Sequence, residues 1–383
     1  MSLQLMFDPI LEEDSLDFEH YSFLNQRFQK NQESFPRLEE IDIAIIGITE
    51  DRGNPENEGA HAGADAIRRA LYGLRASHVK YRVADLGNLR PGETLEDTYL
   101  RLKEAVRTLL EKDIVPVLIG GTHDMSLAVV RAFEELENRM VFLNIDSRSD
   151  TEPNASQGMA QHHISRILTR HKEILRRYIH LGYQTYLVDE NILAAIDQHH
   201  YFKVRLGEIR ENFRSVEPMI RSADFLSFDL GAIRMSEAPA NPKAFPYGLS
   251  GEEACQFAWY AGCSSKMRVF SISELNPELD YRDISASTVA TMIWYFIEGF
   301  YHRFDELQFS PAETTRISVV LPLLSNSPID FYKGIRSGKW WMKVPASEAD
   351  GGHEMLPCSE EDYLLASAGE LPGRWINELF NLS

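Results

Sequence analysis

Short apolar runs alternate with stretches of helical spacing between residues 40 and 325 of this chain. The runs are continuously apolar, which is typical of strands that are covered on both faces. Such strands lie in parallel sheets, and parallel neighbours need a crossover that is usually a helix. The runs are Ile41–Ile48, Tyr81–Leu86, Ile114–Ile119, Met140–Ile145, Tyr178–Gly182, Phe225–Leu230, Arg268–Ile272 and Arg316–Leu321.

The stretches between these runs predict helices that cross over from strand to strand. They cover residues 64–72, 96–111, 126–136, 162–176, 251–261 and 286–302. The repeated order of strand and helix predicts an α/β fold with a mostly parallel sheet of about eight strands. With 383 residues, 44% of them hydrophobic, the chain can fill one large core, so we favour one α/β unit over two domains.

The alternation of runs and helices also divides the chain into three parts. Residues 1–38 are polar and aromatic, and they predict an N-terminal extension that packs through its Phe and Leu side chains. Residues 39–325 form the expected core. Residues 326–383 lack the alternation and predict a C-terminal extension packed on that core.

Charge and cysteine content restrict the class of protein. The chain has 58 acidic and 39 basic residues, a net charge of −19 that argues against nucleic acid and anionic membranes as partners. Its three cysteines show no CxxC spacing, so neither a zinc knuckle nor a disulfide framework is indicated. No signal peptide opens the sequence, and no apolar run approaches the roughly 20 residues that span a bilayer. We therefore expect a cytoplasmic protein.

Four of the predicted strands end in clusters of polar residues. The clusters are Gly120-Gly121-Thr122-His123-Asp124, Asp146-Ser147-Arg148-Ser149-Asp150, Asp229-Leu230-Gly231 and Glu274-Leu275-Asn276-Pro277. In parallel sheets, ligands gather where the strands end, so we expect the four clusters to meet. Carboxylates so close together repel one another unless a cation lies among them. Oxygen ligands with one imidazole suit Mn²⁺, and less specifically Mg²⁺, Fe²⁺ or Zn²⁺.

Each of these residues also has a structural interpretation. An aspartate after a parallel strand often caps the next helix. A single histidine there is more often a hydrogen-bonded loop residue than a ligand. The four clusters together favour a metal site over these separate explanations.

In their order, the clusters resemble the motifs of the ureohydrolases, the family of arginase, agmatinase and formimidoylglutamase. Those enzymes carry Gly-Gly-Asp-His, Asp-Ala-His-x-Asp, Ser-Phe-Asp-x-Asp-x-x-Asp-Pro and Glu-x-Asn-Pro. The segments Gly120–His123, Asp146–Asp150, Ser227–Arg234 and Glu274–Pro277 match them in turn, and Gly63–Leu71 is similar to the family's first helix. The resemblance looks closest to the formimidoylglutamase branch and implies a three-layer arginase-like fold.

The resemblance also implies a site for two Mn²⁺ ions whose bridging hydroxide attacks an amidine carbon. One ligand set is kept, namely His123, Asp146, Asp150 and Asp229. The second set has lost its histidine to Arg148 and its aspartate to Gly231, so we expect one Mn²⁺ ion at most, or none. The guanidinium of Arg148 is expected to occupy the vacated position and to pair with Asp146 or Asp229.

The remaining assignments follow from the same resemblance. Glu274 matches the carboxylate that grips the substrate's amidine, although a structural role as a cap is also open. His162 and His163 lie where a family loop reaches the substrate. Asp146, Asp229 and Glu274 are the expected catalytic residues.

Two functions remain open after this comparison. The first is a hydrolase of linear amidines or guanidino compounds that is impaired or mononuclear. The second is a non-catalytic homologue that binds a ligand or a partner through the old crevice. Deacetylase chemistry fits least, because the zinc deacetylases resemble this family at the metal position that is lost here. The sequence leaves the oligomeric state open, with a homo-oligomer as one option.

Overall fold

A mostly parallel sheet forms the centre of the fold. The computed structural model describes residues 3–11, 22–151, 158–189, 201–304, 306, 308–321, 328–346 and 352–381. Within them, the strands of this sheet are β1 (Phe7–Asp8), β2 (Gln29–Lys30), β3 (Ile43–Ile48), β4 (Val83–Leu89), β5 (Val115–Ile119), β6 (Met140–Ile145), β7 (Leu175–Tyr183), β8 (Phe202–Arg205), β9 (Phe225–Asp229) and β10 (Val269–Ser273).

Eight of these strands run parallel in the order β4-β3-β5-β10-β9-β6-β7-β8. The short strands β1 and β2 add to the β4 edge, and β1 alone is antiparallel. The predicted fold class is therefore confirmed, with ten described strands where about eight were expected.

Helices cover both faces of the sheet and make the three layers. They are α1 (Gly63–Tyr72), α2 (Leu95–Leu110), α3 (Ser126–Glu135), α4 (His163–Arg170), α5 (Leu206–Glu211), α6 (Glu217–Ser222), α7 (Gly251–Gly262) and α8 (Ile284–Tyr301). Side chains of α1, α7 and α8 pack on one face, and those of α2, α3 and α4 on the other. Along β3, Ile43 and Ile45 join the first layer and Ala44 and Ile46 the second. This two-residue period explains why the strands are apolar throughout.

The helix predicted over residues 162–176 is shorter than expected. It ends at Arg170, a short 3₁₀ turn covers Lys172–Ile174, and β7 begins at Leu175. The charged side chains of this segment suit an exposed helix equally well, so the sequence did not show the end. None of the described helices is long and apolar enough to cross a membrane.

The described part of the N-terminal extension lies against the β4 edge. Leu3, Met6, Phe7, Leu24 and Phe28 are buried there, as expected for a segment that packs through Phe and Leu. No strand was predicted in this segment, yet β1 and β2 form in it. Residues 1–2 and 12–21 lie outside the described residues.

A second, antiparallel sheet follows α8. Its strands are β11 (Thr314–Val320), β12 (Pro328–Gly334), β13 (Trp340–Pro345) and β14 (His353–Cys358). The helices α9 (Glu360–Ser367) and α10 (Gly373–Asn381) follow β14 in the chain. The run Arg316–Leu321 does form a strand, but its placement in the central sheet was wrong, because β11 pairs with β12. The division at residues 38 and 325 stays a prediction.

Buried ion pairs join this second sheet to the core. Arg177 on β7 donates from Nε to Glu378 (2.6 Å) and from Nη2 to Glu354 (2.8 Å). Glu217 on α6 accepts from Arg221 Nε (2.9 Å) and from Lys339 Nζ (2.6 Å).

Two of these acids, Glu217 and Glu354, have a lowered pKa, which favours their charged form. Burial raises the pKa of Glu217, but the charges of Arg221 and Lys339 outweigh it and hold that pKa below its usual value. The pKa of Glu354 is lowered in the same way, because Arg177 outweighs the effect of burial.

Candidate metal centre

The four strands that carry the polar clusters are adjacent at the centre of the sheet. Their order is β5, β10, β9, β6, and Ser273 pairs with Asp229 at the last rung between β10 and β9. Since the strands are parallel and in register, the residues that follow them leave the sheet at one edge. The expected meeting of the four clusters is therefore what the structure shows.

His123 lies at the centre of three aspartates. Its Nδ1 is 2.9 Å from Asp150 Oδ2, 3.3 Å from Asp229 Oδ2 and 3.8 Å from Asp146 Oδ2. Its Nε2 is 3.0 Å from the hydroxyl of Ser227 on β9. That contact fixes the ring and turns Nδ1 toward the acids, as the outer partners of metal-binding histidines do.

The charges of this cluster shift its pKa values in opposite directions. Burial lowers the pKa of His123, but hydrogen bonds to Asp150 and Asp229 outweigh it and raise that pKa well above its usual value. Burial and the charges of Asp150 and Asp229 raise the pKa of Asp146 well above its usual value. Burial alone would raise the pKa of Asp150, but His123 lowers it to about 2.

The same four side chains have the chemistry of a divalent cation site. One ligand atom from each of His123, Asp146, Asp150 and Asp229 lies within 4.8 Å of the others. Asp146 Oδ2 is buried and has no hydrogen-bond partner among the described residues, which is costly for a carboxylate oxygen. Three carboxylates and an imidazole are ligands that suit Mn²⁺. The residues therefore fit one such ion.

Arg148 does not take the place of a second ion. Its backbone N–H donates to Asp146 Oδ1 at 2.9 Å, while its side chain is half-buried. Within the described part of the chain, its guanidinium forms no ion pair, and Nε is buried without a partner. The expected pairing with Asp146 or Asp229 is therefore wrong, because Arg148 contacts Asp146 through its backbone N–H and not through its guanidinium.

Gly231 stands at the position of the other missing ligand and places no side chain there. Its N–H donates to Asp229 Oδ1 at 2.5 Å. A Cβ added to Gly231 would lie 2.9 Å from Asp229 Oδ1 and 3.3 Å from Asn241 Nδ2. A side chain at this position would therefore start inside the crevice.

Glu274 is buried behind the acids and is held by three donors. Its Oε1 accepts from the backbone N–H of His123 at 2.8 Å. Its Oε2 accepts from Asn54 Nδ2 at 2.8 Å and from Asn57 Nδ2 at 2.7 Å. Burial and the charge of Asp229 raise the pKa of Glu274 to about 8, against the pull of these donors. Glu274 thus ties two loops to the site, and its contact with substrate stays a prediction.

The two loop histidines are placed differently. The ring of His163 lies 4.6 Å from the ring of His123, and its Nδ1 is 3.8 Å from Asp150 Oδ2. Burial and the charge of His123 lower the pKa of His163 to about 3, so this imidazole stays neutral. His162 is half-buried and shows no contact with the acids among the described residues. The structure therefore brings only His163 to the cluster.

Two charged residues of the site adopt a left-handed backbone. Asp150 has φ of 48° and Glu274 has φ of 71°. The neighbouring Gly120 has φ of 80°, and a Cβ there would lie 2.6 Å from the backbone nitrogen of Ala64. Non-glycine residues in this conformation are uncommon and cost free energy, and they cluster at functional sites.

Further side chains complete the crevice, and the sequence reasoning missed them. Asn54, Gln161, Asn241 and Lys243 line it together with the motif residues. The signal for Asn54 was its position just after β3, another strand that ends at this edge. The remaining volume is about 20 Å³, which holds about one water-sized group.

The chain is similar to known proteins in both sequence and structure. The model of the arginase family matches residues 41–298, which are two thirds of this chain. The chain belongs to the arginase family. The formimidoylglutamase of Bacillus subtilis is 22% identical over 280 residues, which cover 67% of this chain and 86% of that protein. That of Nocardia farcinica is 28% identical over 279 residues, with the same two shares.

Solved structures agree with this assignment. The crystal structure of Trypanosoma cruzi formiminoglutamase with manganese has a TM-score of 0.66 and 26% identity, and the match covers 74% of this chain and 99% of that one. The agmatine ureohydrolase of Thermoplasma volcanium shares the fold, with a TM-score of 0.60 and 21% identity over 70% of this chain and 93% of that one. The resemblance to the ureohydrolases and the three-layer arginase-like fold are thereby confirmed.

Proposed function

We propose that this chain is a formimidoylglutamase-like hydrolase of C–N bonds in linear amidines that works with a single Mn²⁺ ion and is impaired relative to two-metal relatives. The observation that carries the proposal is the asymmetry of the site. One ligand set is complete around His123, while the positions of the other are Arg148 and Gly231.

The ion would be held by His123, Asp146, Asp150 and Asp229. When bound, a divalent ion lowers the pKa of a coordinated water and so supplies a nucleophile at neutral pH. Ser227 keeps the His123 ring oriented, and His123 with the three carboxylates would hold the ion. A second ion lacks ligands, since a guanidinium cannot bind a metal and glycine has no side chain.

Glu274 is the proposed partner of the amidine. A carboxylate has about four acceptor sites, and three are taken by His123, Asn54 and Asn57. The fourth can accept one N–H of a planar cation, which is weaker than a paired grip on both of its nitrogens. The neutral His163 and the nearby His162 belong to the loop that would face the rest of the substrate.

The alternative is a non-catalytic homologue that uses the crevice for binding alone. One observation favours it, namely that His123, Asn54 and Asn57 already occupy three of the four acceptor sites of Glu274. A guanidino or amidine ligand would then bind without turnover, and in either case the lining side chains must move to admit it, because the remaining volume is about 20 Å³. In both cases we propose a cytoplasmic protein, with self-association as an open possibility.

Metal analysis combined with an activity assay tests the proposal. The purified chain is loaded with Mn²⁺, freed of excess by gel filtration, and assayed on formimidoylglutamate, arginine and agmatine. We expect one ion per chain and slow hydrolysis that is lost in Asp229→Asn. Arg166→Gln, a substitution outside the ligand set, serves as the control.

The two functions give different results. One bound ion without turnover on any of the three amidines would favour the non-catalytic alternative. Two tightly bound ions per chain would contradict the single-ion site. Equal turnover in Asp229→Asn and in the unaltered chain would exclude this crevice as the place of the reaction.

A further inference from the structure

A second cavity of about 520 Å³ lies at the opposite edge of the central sheet. Its walls come from the ends of α7 and α8, from the loop 264–266 that precedes β10, and from β13 and β14. The metal crevice lies at the carboxyl ends of the parallel strands, whereas this cavity lies at their amino ends, where Lys266 comes before β10. The two share no lining residue, and this volume is in the range of small-molecule sites.

Aromatic side chains form much of its surface, and we call it the aromatic cavity. They are Trp259, Tyr260, Phe304, Phe309 and Trp341. Phe309 meets Trp341 edge-on at 5.4 Å, while Trp259 and Tyr260 are only half-buried and Phe304 is 41% exposed. Aromatic faces that stay accessible inside a concave site suit a planar ring, which stacks on them.

Arg221 lines this cavity and keeps one guanidinium nitrogen without a hydrogen-bond partner among the described residues. Only 7% of the residue is exposed. Its Nε donates to Glu217, and its Nη2 donates to the carbonyl oxygens of Trp340 (3.0 Å) and Cys358 (3.1 Å). Its Nη1 is buried and has no hydrogen-bond partner in the part of the chain that the structure describes. Its guanidinium carbon lies 4.6 Å from the centre of the Trp341 ring.

The charge around Arg221 favours an anion. Five cationic side chains line the cavity against two acidic ones, although the whole chain has a net charge of −19. The cations are Arg176, Arg221, Lys266, Arg303 and Lys339. Glu306 accepts from the backbone N–H groups of residues 336 and 337, and Glu354 pairs with Arg177 and Arg176. Arg221 and Lys339 share Glu217, so these two cations carry one positive charge between them beyond that pair, and Lys266 lies 4.0 Å from Glu354. The acids are thus committed to the protein.

We propose that the aromatic cavity binds a small molecule that joins a planar ring to a carboxylate or phosphate group. The ring lies between the aromatic walls, and the anion accepts from Arg221 Nη1 with Lys266 nearby. A buried arginine donor with an aromatic neighbour is suited to such a group, because guanidinium pairs with carboxylates and phosphates and stacks on rings. This site is independent of the metal crevice and of its chemistry.

Titration of the full-length protein tests the proposal. AMP and indole-3-carboxylate are the ring-bearing anions, adenosine and indole supply the rings alone, and inorganic phosphate and acetate supply the anions alone. Calorimetry gives the affinities, and quenching of Trp259 and Trp341 fluorescence gives an independent signal. We expect at least one ring-bearing anion to bind about tenfold or more tightly than its ring or its anion alone. Comparing AMP with indole-3-carboxylate shows whether the site takes a phosphate or a carboxylate. If neither ring-bearing anion exceeds its parts, the proposal is wrong.

Matched charge reversals locate the binding. Lys266→Glu changes a cavity side chain whose Nζ lies no closer than 4.0 Å to Glu354, and we expect about tenfold weaker binding. Lys172→Glu makes the same change of charge at a similarly weak pair with Glu173 outside the cavity, and affinity should stay unchanged. Equal effects of the two reversals would overturn the proposal.

Two further variants close the remaining alternatives. Arg221→Lys keeps a cation but removes the Nη1 donor, so it should also weaken binding while circular dichroism stays unchanged. Asp229→Asn should leave the affinity as it is. Loss of binding in Asp229→Asn would place the ligand in the metal crevice and would refute an independent site.

Discussion

Replacing Arg148 by histidine and Gly231 by aspartate together should create a second Mn²⁺ site. Three aspartates and one guanidinium now leave two negative charges, which one divalent ion balances. The double variant has four aspartates and a neutral imidazole, and its four negative charges match two divalent ions. The backbone of Gly231 has an ordinary conformation, and an added Cβ would meet only side-chain ends, Asp229 Oδ1 at 2.9 Å and Asn241 Nδ2 at 3.3 Å, which must shift by a few tenths of an ångström.

The expected effect on affinity is large. Changes in the partners of ligands alone alter metal affinity by about 10–100-fold. Two restored ligands should therefore lower the dissociation constant of the second ion by at least about 100-fold. Elemental analysis after gel filtration should give two ions per chain instead of one, and electron paramagnetic resonance should show coupling between neighbouring Mn²⁺ ions.

Single variants serve as controls for the double one. Arg148→His and Gly231→Asp each leave an incomplete second set and should retain one ion, as should Arg148→Leu, which removes charge without adding a ligand. Two ions in the unaltered chain would refute the reasoning. A folded double variant that still retains one ion would refute it as well.

Other substitutions separate paired from unpaired charges. Arg148→Ala should change the free energy of unfolding in urea by less than about 0.5 kcal/mol, because its guanidinium holds no acid among the described residues; a loss above about 2 kcal/mol would contradict this. Arg177→Met should cost about 3–5 kcal/mol, since Glu378 would be left buried without Arg177 while Glu354 keeps its pair with Arg176, and a loss below about 1 kcal/mol would show that Glu378 finds another partner. The lowered pKa of Glu217 means that its contribution to stability is complete above its unfolded pKa, at about pH 5 and higher, and is lost as pH falls through the lower folded pKa. Glu217→Gln should flatten this dependence in urea unfolding measured from pH 7 downward.

Much of the fold followed from one property of the sequence, the run of apolar residues that are buried on both faces. Seven of the eight runs form strands of the parallel sheet, since Ile43–Ile48 and its counterparts have no polar face to expose. The meeting of His123 with Asp229 was predictable too, because topology alone brings the ends of parallel strands to one edge. Neither inference requires knowing which strand pairs with which.

Where a partner had to be chosen, the sequence was not enough. The run around Ile317 is rich in β-branched residues like a core strand, but most of its residues alternate between exposed and partly buried on the antiparallel sheet. Pairing with β12 depends on segments far along the chain, which a local pattern does not contain. Arg148 failed for a related reason. The sequence gives the charge of the Arg148 side chain. The direction in which that side chain points depends on the turn in which the Arg148 N–H donates to Asp146.

The left-handed backbone at Asp150 and Glu274 sets stability against function at two positions of the crevice. Glycine at either position would relax the main chain and would be expected to make the protein more robust, yet it would remove a carboxylate from the site. A search for more stable variants would therefore tend to select changes that empty the crevice. Asparagine at position 150, which tolerates this conformation and keeps the shape of aspartate, is the substitution that separates the two effects.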